Sequence, residues 1–174
     1  MKAMLIDENK NFVWSDVAEP VVGAHDVCIE IHAAALNRAD LLQRQGKYPS
    51  PKGCPPWMGL EVAGVVRETG AAVTKWRKGD RVCALLGGGG YAEAVAVDEG
   101  MVMPIPGKLT FAEAASLPEA YATCYLNLFR EGGYRPGETL FFPAGASGLA
   151  SVGIPMAKAF GAYVITSVLT DEIA

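Results

Sequence analysis

The residues best suited to chemistry in this sequence form a small-residue turn between an apolar run and a helical pattern. The turn lies in Phe141–Gly153, and Gly145, Ser147 and Ala150 occupy the three key positions of a Gly-x-Gly-x-x-Gly pattern, with Gly148 as an extra glycine. Small residues let a backbone approach a pyrophosphate, and the free N–H groups at a helix start bind its negative charge. Because the full pattern is absent, two interpretations stay open: a dinucleotide site, or a strand-to-helix turn without a ligand.

Hydrolase chemistry is disfavoured around this turn. The segment from Gly145 to Gly148 resembles a nucleophile elbow, but Gly-x-Ser-x-Gly would need a glycine where Leu149 stands. The sequence has 2 histidines, His25 and His32, both near its start. They leave little for a Ser-His-Asp triad.

The cysteines predict neither a metal site nor a disulfide framework. The 4 of them are Cys28, Cys54, Cys83 and Cys124. No two form a Cys-x-x-Cys pair, so free thiols in a reducing cytoplasm are the simplest expectation.

The length and the net charge limit the classes of protein to which this chain can belong. A chain of 174 residues with a net charge of -4 is long enough for one or two small domains, and its acidity argues against non-specific nucleic-acid binding. The first apolar stretch, Ala3–Ile6, is too short for a signal peptide, and no apolar run approaches the ~20 residues of a membrane span. We therefore expect neither a nucleic-acid nor a membrane partner.

The first part of the chain has the pattern of short strands with frequent turns. Asp26–Ala34 is the clearest strand, because apolar and polar residues alternate along it and place Cys28 and His32 on a solvent-facing side. The other predicted strands are Lys2–Asp7, Phe12–Ala18, Glu61–Thr69, Arg81–Leu85 and Tyr91–Asp98. Four consecutive glycines, Gly87–Gly90, predict a flexible connection and not a phosphate loop, because a strand pattern follows them. The whole predicts a small barrel-like β domain.

A short helix and a loop interrupt these strands. Asn37–Gln45 predicts a helix that Asn37 or Asp40 caps, with Leu41 and Leu42 facing inward. The proline-rich run that follows, Gly46–Trp57, predicts a loop that carries Tyr48.

Helical patterns take over after residue 106. Thr110 and Glu113 predict a capping box, and Pro118 predicts the start of the next helix. A strand, the glycine turn, a helix and the strand Tyr163–Ser167 then follow, which places a domain boundary near residue 120.

A series of short segments occurs in an order typical of one enzyme family. The segments are Val27–Ala35, Ala35–Asp40, Gln45–Pro49, Gly59–Gly64, Lys78–Val82, Ala114–Glu119, Pro136–Leu140 and the glycine turn. The series covers essentially the whole chain and resembles the NADPH:quinone oxidoreductases, the zinc-independent, zeta-crystallin-like branch of the medium-chain dehydrogenase/reductase superfamily. Zinc-dependent relatives have a cysteine where Asn37 stands and a histidine where Leu60 stands, so the resemblance implies the metal-free branch.

The resemblance implies a mixed α+β and α/β architecture. A GroES-like β-barrel domain would occupy residues 1–120, and the first βαβ part of a Rossmann domain would occupy residues 121–174. The implied reaction is hydride transfer from the nicotinamide of NADPH to a quinone or an enone, in a homo-oligomer that we expect to be a dimer.

The resemblance also implies a set of site residues. Tyr48 and Asn37 would be catalytic and, with Thr123, would surround the nicotinamide. The other implied cofactor-binding residues are Gly145, Ala146, Ser147, Gly148, Leu149, Ser167 and Thr170.

The residues after the second Rossmann strand bear on the choice of cofactor. The acidic residue typical of NAD-specific enzymes would match Leu169, and Thr170 matches a family serine that binds the 2′-phosphate, so NADPH is favoured. Against NADPH, Ile173 stands where the family has a basic residue, and Asp171 and Glu172 would repel a phosphate.

Two departures from the family pattern leave an alternative open. Pro155 lies inside the helix after the turn, where an interior proline costs ~3 kcal/mol and is expected to kink or shorten the helix. The chain also stops soon after the second Rossmann strand, and a two-stranded parallel sheet leaves edges and apolar faces uncovered. The alternative is a non-catalytic GroES-like module that self-associates or binds a protein partner.

Overall fold

The computed structural model describes residues 1–170, and the chain divides into two compact units. The first unit is Met1–Pro118, and the second begins at Glu119.

The first unit contains a hairpin and a five-stranded antiparallel sheet. The hairpin pairs β1 (Lys2–Ile6) with β2 (Phe12–Asp16). The sheet contains β3 (Asp26–Ala34), β4 (Glu61–Thr69), β5 (Arg81–Leu85), β6 (Ala94–Asp98) and β7 (Val102–Pro104), in the order β6-β3-β4-β5-β7. β6 and β7 are the two edges of this sheet, so the sheet does not close into a complete barrel. A 3-10 turn, Glu99–Met101, joins β6 to β7.

The core of this unit lies on one face of the sheet. Its largest buried side chains come from three neighbouring strands: Val27, Ile29, Val62, Val66 and Val82. A second, smaller cluster forms where α2 (Phe111–Ala115) buries Ala114 and Ala115 against Ala63 and Cys83. Thr110 caps α2, and the predicted capping box with Glu113 is confirmed.

The burial predicted from the alternation of β3 is wrong at one residue. Cys28 was expected on the solvent side, but it is fully buried, whereas His32 is exposed as expected and stacks on Phe111 at 4.5 Å between ring centroids. The pairing of β3 with β4 shifts register between Cys28 and Ile29. The extra residue at this bulge is Arg67 of β4, and β3 pairs with β6 without a shift, so the side chains of β3 still alternate between the two faces. Cys28 is buried because its face of the sheet is also covered at this point, beside Arg67.

The glycine run also differs from its prediction. Gly88, Gly89 and Gly90 are buried, and a Cβ on Gly90 would lie 2.9 Å from the carbonyl oxygen of Gly59. Gly89 has a φ of 95°, which favours glycine. The run is therefore a close-packed turn against the segment Pro55–Gly59, and not a loose connection.

The second unit is a βαβ arrangement. Helix α3 (Pro118–Tyr125) continues into a π-helical segment, Leu126–Glu131. β8 (Thr139–Phe142), α4 (Gly148–Ala159) and β9 (Tyr163–Thr166) follow, and β8 pairs with β9 in parallel. The predicted order of strand, glycine turn, helix and parallel strand is confirmed.

Pro155 does not shorten α4. The helix runs on to Ala159, and the exposed Pro155 lies inside it. Proline has no N–H, so the carbonyl of Ser151 loses the donor that an ordinary residue would supply four positions later.

Two further observations concern the chain as a whole. None of the helices in residues 1–170 is both long and apolar enough to cross a membrane. All four cysteines are unpaired.

Candidate functional site

Each unit carries one set of the predicted site residues. Asn37 and Tyr48 belong to the first unit, and the residues of the glycine turn belong to the second, together with Thr123, Ser167 and Thr170.

The first unit contains a cavity of about 810 Å³ next to Asn37. Its walls are mostly apolar and come from the hairpin, the end of β3, the helix α1 (Arg38–Arg44) and the segment before β4. The larger apolar lining residues are Phe12, Trp14, Ile31, Leu36, Leu41 and Met58. Leu41, which was predicted to face inward, is 52% exposed. The cavity suits an apolar ligand, since apolar walls with a few polar groups are typical of small-molecule sites.

The polar groups of this cavity are concentrated at the start of α1. Of the two residues predicted to cap α1, Asn37 and Asp40, the N-cap residue is Asn37. Its backbone N–H donates to the Asp40 carboxylate at 2.7 Å, and its side-chain Nδ2 donates to Glu61 Oε1 at 2.9 Å. The N-cap position and the first residue of β4 thus hold the Asn37 side chain against the end of the sheet.

The two carboxylates in this cluster are buried. Glu61 is 3% exposed and Asp40 is 5% exposed. Asp40 Oδ2 accepts from the Tyr91 hydroxyl at 2.7 Å, while Asp40 Oδ1 has no hydrogen-bond partner within the described chain. Buried carboxylates are costly unless they are hydrogen-bonded, so each donor in this cluster contributes to keeping them there.

Tyr91 is held in its neutral form. Burial raises the pKa of Tyr91 well above its ordinary value, and the hydrogen bond to Asp40 and the negative charges of Asp40 and Glu61 raise it further. A phenol with so high a pKa is a poor proton donor to a substrate. Tyr91 therefore acts as a structural donor to Asp40, and its hydroxyl also lies 3.2 Å from the Ala35 carbonyl.

Tyr48 lies in the loop that joins α1 to β4. The loop has no helix or strand between residues 46 and 60, as predicted, and Tyr48 is 42% exposed. Tyr48 is not among the residues that line the cavity beside Asn37, so the cavity itself does not bring these two predicted residues together.

In the second unit, the glycine turn connects β8 directly to the first turn of α4. Ser147 is the N-cap residue of α4, and its hydroxyl accepts from the Ala150 N–H at 3.2 Å. Ala144 has a φ of 59°, and the N–H of Gly145 donates to the Ser167 carbonyl at 2.8 Å. The turn thereby brings the backbones of Gly145 and Ser167 together.

The two glycines of this turn have different surroundings. A Cβ on Gly145 would clash with Thr166 Oγ1, whereas a Cβ on Gly148 would meet nothing within 4 Å. Gly145 is therefore needed for packing against β9. Gly148 opens onto free space at the start of a 12-residue helix, where the first N–H groups have no intrahelical acceptor. The residues fit a pyrophosphate, which needs both room and free donors.

The remaining predicted residues occupy less specific positions. Thr123 lies half-buried in α3, and its hydroxyl is 3.5 Å from a carboxylate oxygen of Glu119. Ala146 and Leu149 are exposed in the turn and at the start of α4, and Thr170 is exposed after β9. Asp171, Glu172 and Ile173, which bear on cofactor choice, lie outside the described residues.

Sequence reasoning missed three residues of the first-unit cluster. The roles of Asp40 as a buried acceptor, and of Glu61 and Tyr91 as its neighbours, were not predicted. One signal was available: Glu61 is a carboxylate inside the apolar run of β4, which is unusual unless it has a partner.

Comparison with known proteins identifies the fold and its relatives. Residues 23–107 match the alcohol dehydrogenase GroES-like domain. The chain is 40% identical over 147 residues to the quinone oxidoreductase-like protein 2 homolog of Nematostella vectensis, a match that covers 83% of this chain and 40% of the relative.

Solved structures give the same result. The quinone oxidoreductase of Thermus thermophilus, whose structure was determined also in complex with NADPH, superposes with a TM-score of 0.81 at 33% identity over 99% of this chain and 55% of its own. The CurK enoyl reductase superposes with a TM-score of 0.86 at 26% identity, over 95% of this chain and 53% of its own.

The matches extend across both units, although they do not extend across the whole of the relatives. The chain spans about half the length of the curated relatives it matches. Its sheet, its βαβ arrangement and its matches agree: residues 23–107 match an alcohol dehydrogenase GroES-like domain, the curated relatives are quinone oxidoreductases and related proteins, and the structural neighbours are members of the medium-chain dehydrogenase/reductase superfamily.

Proposed function

We propose that this chain binds NADPH and serves the metal-free reduction of a quinone or an enone. The observation that carries the proposal is the turn before α4, where Gly148 opens onto free space beside unpaired N–H groups of the first helical turn. The relatives support the reaction class, since they are named quinone oxidoreductases and an enoyl reductase. Bound NADPH would supply the hydride from its nicotinamide C4.

The chain's own residues would bind and orient the reactants. The N–H groups of Gly148 and Leu149 would bind the pyrophosphate, with Gly145, Ala146 and Ser147 shaping the turn. Asn37, Tyr48 and Thr123 would position the nicotinamide end. The apolar cavity wall would keep water from the substrate. Tyr48 does not line the cavity, and we propose that it would donate a hydrogen bond to the substrate carbonyl from the loop after α1.

The residues at the start of α1 and β4 do not suit a catalytic zinc ion. Asn37 uses its side-chain N–H to donate to Glu61, and Leu60 is apolar. Zinc sites take thiolate, imidazole and carboxylate ligands. Within residues 1–170, no group of three or more histidine, cysteine or acidic side chains is placed to hold a metal ion. We therefore propose chemistry that depends on positioning and not on a Lewis acid.

NADPH is proposed over NADH because of Thr170. Thr170 is exposed just after β9, where we propose that its hydroxyl would bind the 2′-phosphate, and the neighbouring Leu169 is 92% exposed and carries no charge to repel a phosphate. Free cysteines are typical of a reducing compartment, so we place the protein in the cytoplasm.

A cofactor titration tests the proposal. The purified chain is titrated with NADPH and with NADH while tryptophan fluorescence and the melting temperature are recorded. We expect saturable quenching and a stabilising shift at micromolar NADPH, with NADH at least about 10-fold weaker, and reduction of a simple benzoquinone when NADPH is present. No response up to millimolar NADPH contradicts the proposal.

A second candidate function rests on the uncovered face of the βαβ unit. Phe141 in β8 is 61% exposed, and Tyr163 in β9 is 69% exposed. β8 and β9 are paired, and Phe141 lies diagonally opposite Tyr163, because its direct partner is Ile165. Parallel sheets are normally covered on both faces. This favours a module that associates with a second copy of itself, in a dimer.

A further inference from the structure

A three-residue segment, residues 35–37, carries Asn37 from the end of β3 to the start of α1. It belongs to neither a helix nor a strand, and Leu36 in its middle is 86% exposed. Because the large apolar side chain of this segment is not packed, the position of the segment depends mainly on its hydrogen bonds.

Tyr91 contacts this segment at both of its ends. Its hydroxyl donates to Asp40 Oδ2 at 2.7 Å and lies 3.2 Å from the Ala35 carbonyl oxygen. The Asn37 backbone N–H donates to the same oxygen of Asp40 at 2.7 Å. A phenol has one proton to donate, so the shorter contact, to Asp40, is its main hydrogen bond. A single oxygen atom of Asp40 thus joins the Tyr91 side chain to the Asn37 backbone.

The Asp40 carboxylate depends on Tyr91 for its position. Within residues 1–170, Asp40 Oδ1 has no hydrogen-bond partner, and the donors to Oδ2 are the Tyr91 hydroxyl and the Asn37 N–H. Without the Tyr91 hydroxyl, the carboxylate would be held only by the residue whose backbone it binds. Asp40 and Asn37 could then move together.

Tyr91 is itself fixed by two other segments of the first unit. Its backbone N–H donates to the Met58 carbonyl at 3.0 Å, and its carbonyl accepts from the Met4 N–H at 2.8 Å. Burial raises the pKa of Tyr91, so its hydroxyl keeps its proton at neutral pH. Tyr91 therefore connects Asp40 to a part of the fold that does not depend on α1. Tyr91, Asp40 and Asn37 all line the apolar cavity.

We propose that Tyr91 is a positioning residue for the nicotinamide site: through Asp40 it fixes the backbone of Asn37 at the cavity wall, and so fixes the place from which the Asn37 side chain meets the cofactor. The inference rests on the proposed function, because it needs Asn37 to contact the nicotinamide. In this role Tyr91 donates its proton to Asp40 and not to a ligand.

A double-mutant cycle tests whether Tyr91 acts through Asn37. NADPH dissociation constants are measured for the unmodified chain, Tyr91→Phe, Asn37→Ala and the double variant, at a temperature at which each is fully folded. We expect about 10-fold weaker binding in each single variant, the loss of about one hydrogen bond. The double variant should also bind only about 10-fold more weakly, because a displaced Asn37 and a missing Asn37 side chain lose the same contact.

Two results of this cycle overturn the inference. A loss of about 100-fold in the double variant, the product of two independent effects, would show that Tyr91 does not act through Asn37. An unchanged NADPH affinity in a folded Tyr91→Phe protein would show that Tyr91 has a structural role alone.

Tyr134→Phe is the control for this substitution. Tyr134 is 8% exposed in the second unit, and its hydroxyl donates to the carbonyl of Phe160, the residue at the end of α4 opposite the glycine turn. Its loss should lower the melting temperature, as for Tyr91→Phe, but should leave NADPH affinity within about 2-fold. An equal loss of affinity in both variants would mean that lower stability alone weakens binding, which overturns the inference.

A second readout needs neither a cofactor nor a folded variant. In the ¹⁵N-labelled unmodified chain, the backbone N–H of Asn37 is compared with that of Asn11, which donates to Asp7 Oδ1 at the same 2.7 Å in the exposed β1–β2 turn. We expect the Asn37 N–H to exchange with water at least about 100-fold more slowly, because its acceptor is buried and fixed by Tyr91. Equal exchange rates overturn the inference.

The same measurement on Tyr91→Phe separates the two proposals. The variant should raise the exchange rate of the Asn37 N–H and leave that of Asn11 unchanged. If these exchange rates are found and NADPH does not bind to the unmodified chain, the proposed function fails while the fixed position of Asn37 stands.

Discussion

Two glycines in the turn before α4 have different expected roles: Gly145 in packing and Gly148 in ligand binding. We expect Gly148→Ala to leave the free energy of unfolding unchanged or slightly higher, because a Cβ there meets nothing within 4 Å and alanine is the better helix former. The same methyl group would occupy the space that we assign to the pyrophosphate. NADPH affinity should therefore fall about 10-fold or more, measured by fluorescence titration.

The matched variant is Gly145→Ala. Its Cβ would clash with Thr166 Oγ1, and overpacking of this kind costs about 1–3 kcal/mol of stability. Chemical denaturation should show that loss for Gly145→Ala and none for Gly148→Ala. An unchanged NADPH affinity in a folded Gly148→Ala protein would argue against a pyrophosphate at this turn.

Tyr91 gives a prediction about pH. Tyr91→Phe removes a hydrogen bond to the buried Asp40, which already has one oxygen without a partner in the described residues, so it should cost about 1–3 kcal/mol at pH 8. The pKa of Tyr91 is raised in the folded chain by burial and by Asp40. In the unfolded chain Tyr91 ionises near pH 10, and its ionisation then favours the unfolded state.

The stabilising contribution of Tyr91 is therefore complete below pH 10 and is lost as the pH rises above 10. Urea unfolding of the unmodified chain and of Tyr91→Phe should show the difference shrinking by up to about 1.4 kcal/mol per pH unit above pH 10. Tyr125→Phe, which removes a hydroxyl from a tyrosine that is 50% exposed, should change stability by less than about 0.5 kcal/mol. A constant difference from pH 8 to pH 11 would mean that Tyr91 is not protected from ionisation.

At the scale of elements, Pro155 is a removable defect in α4. The helix continues past Pro155 to Ala159, and the proline leaves the Ser151 carbonyl without the N–H of residue 155. Pro155→Ala restores that donor on an exposed surface and should raise the free energy of unfolding by about 1–3 kcal/mol, measured by thermal and urea unfolding.

Pro118→Ala is the control for this substitution. Pro118 is the first residue of α3, where the N–H has no intrahelical acceptor and proline is favoured. Its replacement restores no hydrogen bond and removes ring atoms from a buried position, so it should be destabilising. Equal effects at both positions would show that the missing hydrogen bond of α4 is not the cause.

The elements that periodicity and turn chemistry govern were predictable from the sequence. The strand Asp26–Ala34, the capping box at Thr110 and the helix start at Pro118 agree with the structure. Cys28 was misplaced because both faces of β3 are covered at this point, with Arg67 of β4 beside the Cys28 thiol, and the pattern of β3 alone does not reveal that cover. The glycine run Gly87–Gly90 was misjudged because its packing partners lie about thirty residues earlier in the chain, as the bond from Gly90 N–H to the Gly59 carbonyl shows.

The candidate site was only partly predictable for the same reason. Asn37 and the turn at Gly145 were found through short segments that resemble a family. Their partners were not, since Tyr91 contacts Asp40 across 51 positions of sequence and Asn37 contacts Glu61 across 24. No local sequence pattern predicts such a contact, because the assembled sheet determines whether a polar group is buried and whether it finds a hydrogen-bond partner.

At the scale of the whole molecule, the outward face of the βαβ unit predicts self-association. Leu140, Phe142 and Val164 are half-buried, and the alternate positions of the same strands are exposed. Phe141 pairs with Ile165 and Thr139 with Tyr163, so three large apolar side chains share the exposed face. An uncovered apolar face on a two-stranded parallel sheet is unfavourable in water.

We expect the purified chain to form dimers that dissociate on dilution, as measured by size-exclusion chromatography with light scattering between about 1 and 100 μM. Ile165→Lys, which places a charge on the exposed face, should weaken dimerisation at least about 10-fold, because a buried unpaired charge is costly. Val21→Lys is the control: Val21 is 89% exposed in the segment between β2 and β3, and its replacement should leave the dimer intact. If the unmodified chain is monomeric throughout this range, the apolar face of β8 and β9 stays exposed to solvent without a second copy to cover it. The second candidate function then fails. If dimers form and NADPH also binds, the second copy covers the sheet while the turn before α4 stays open to the cofactor.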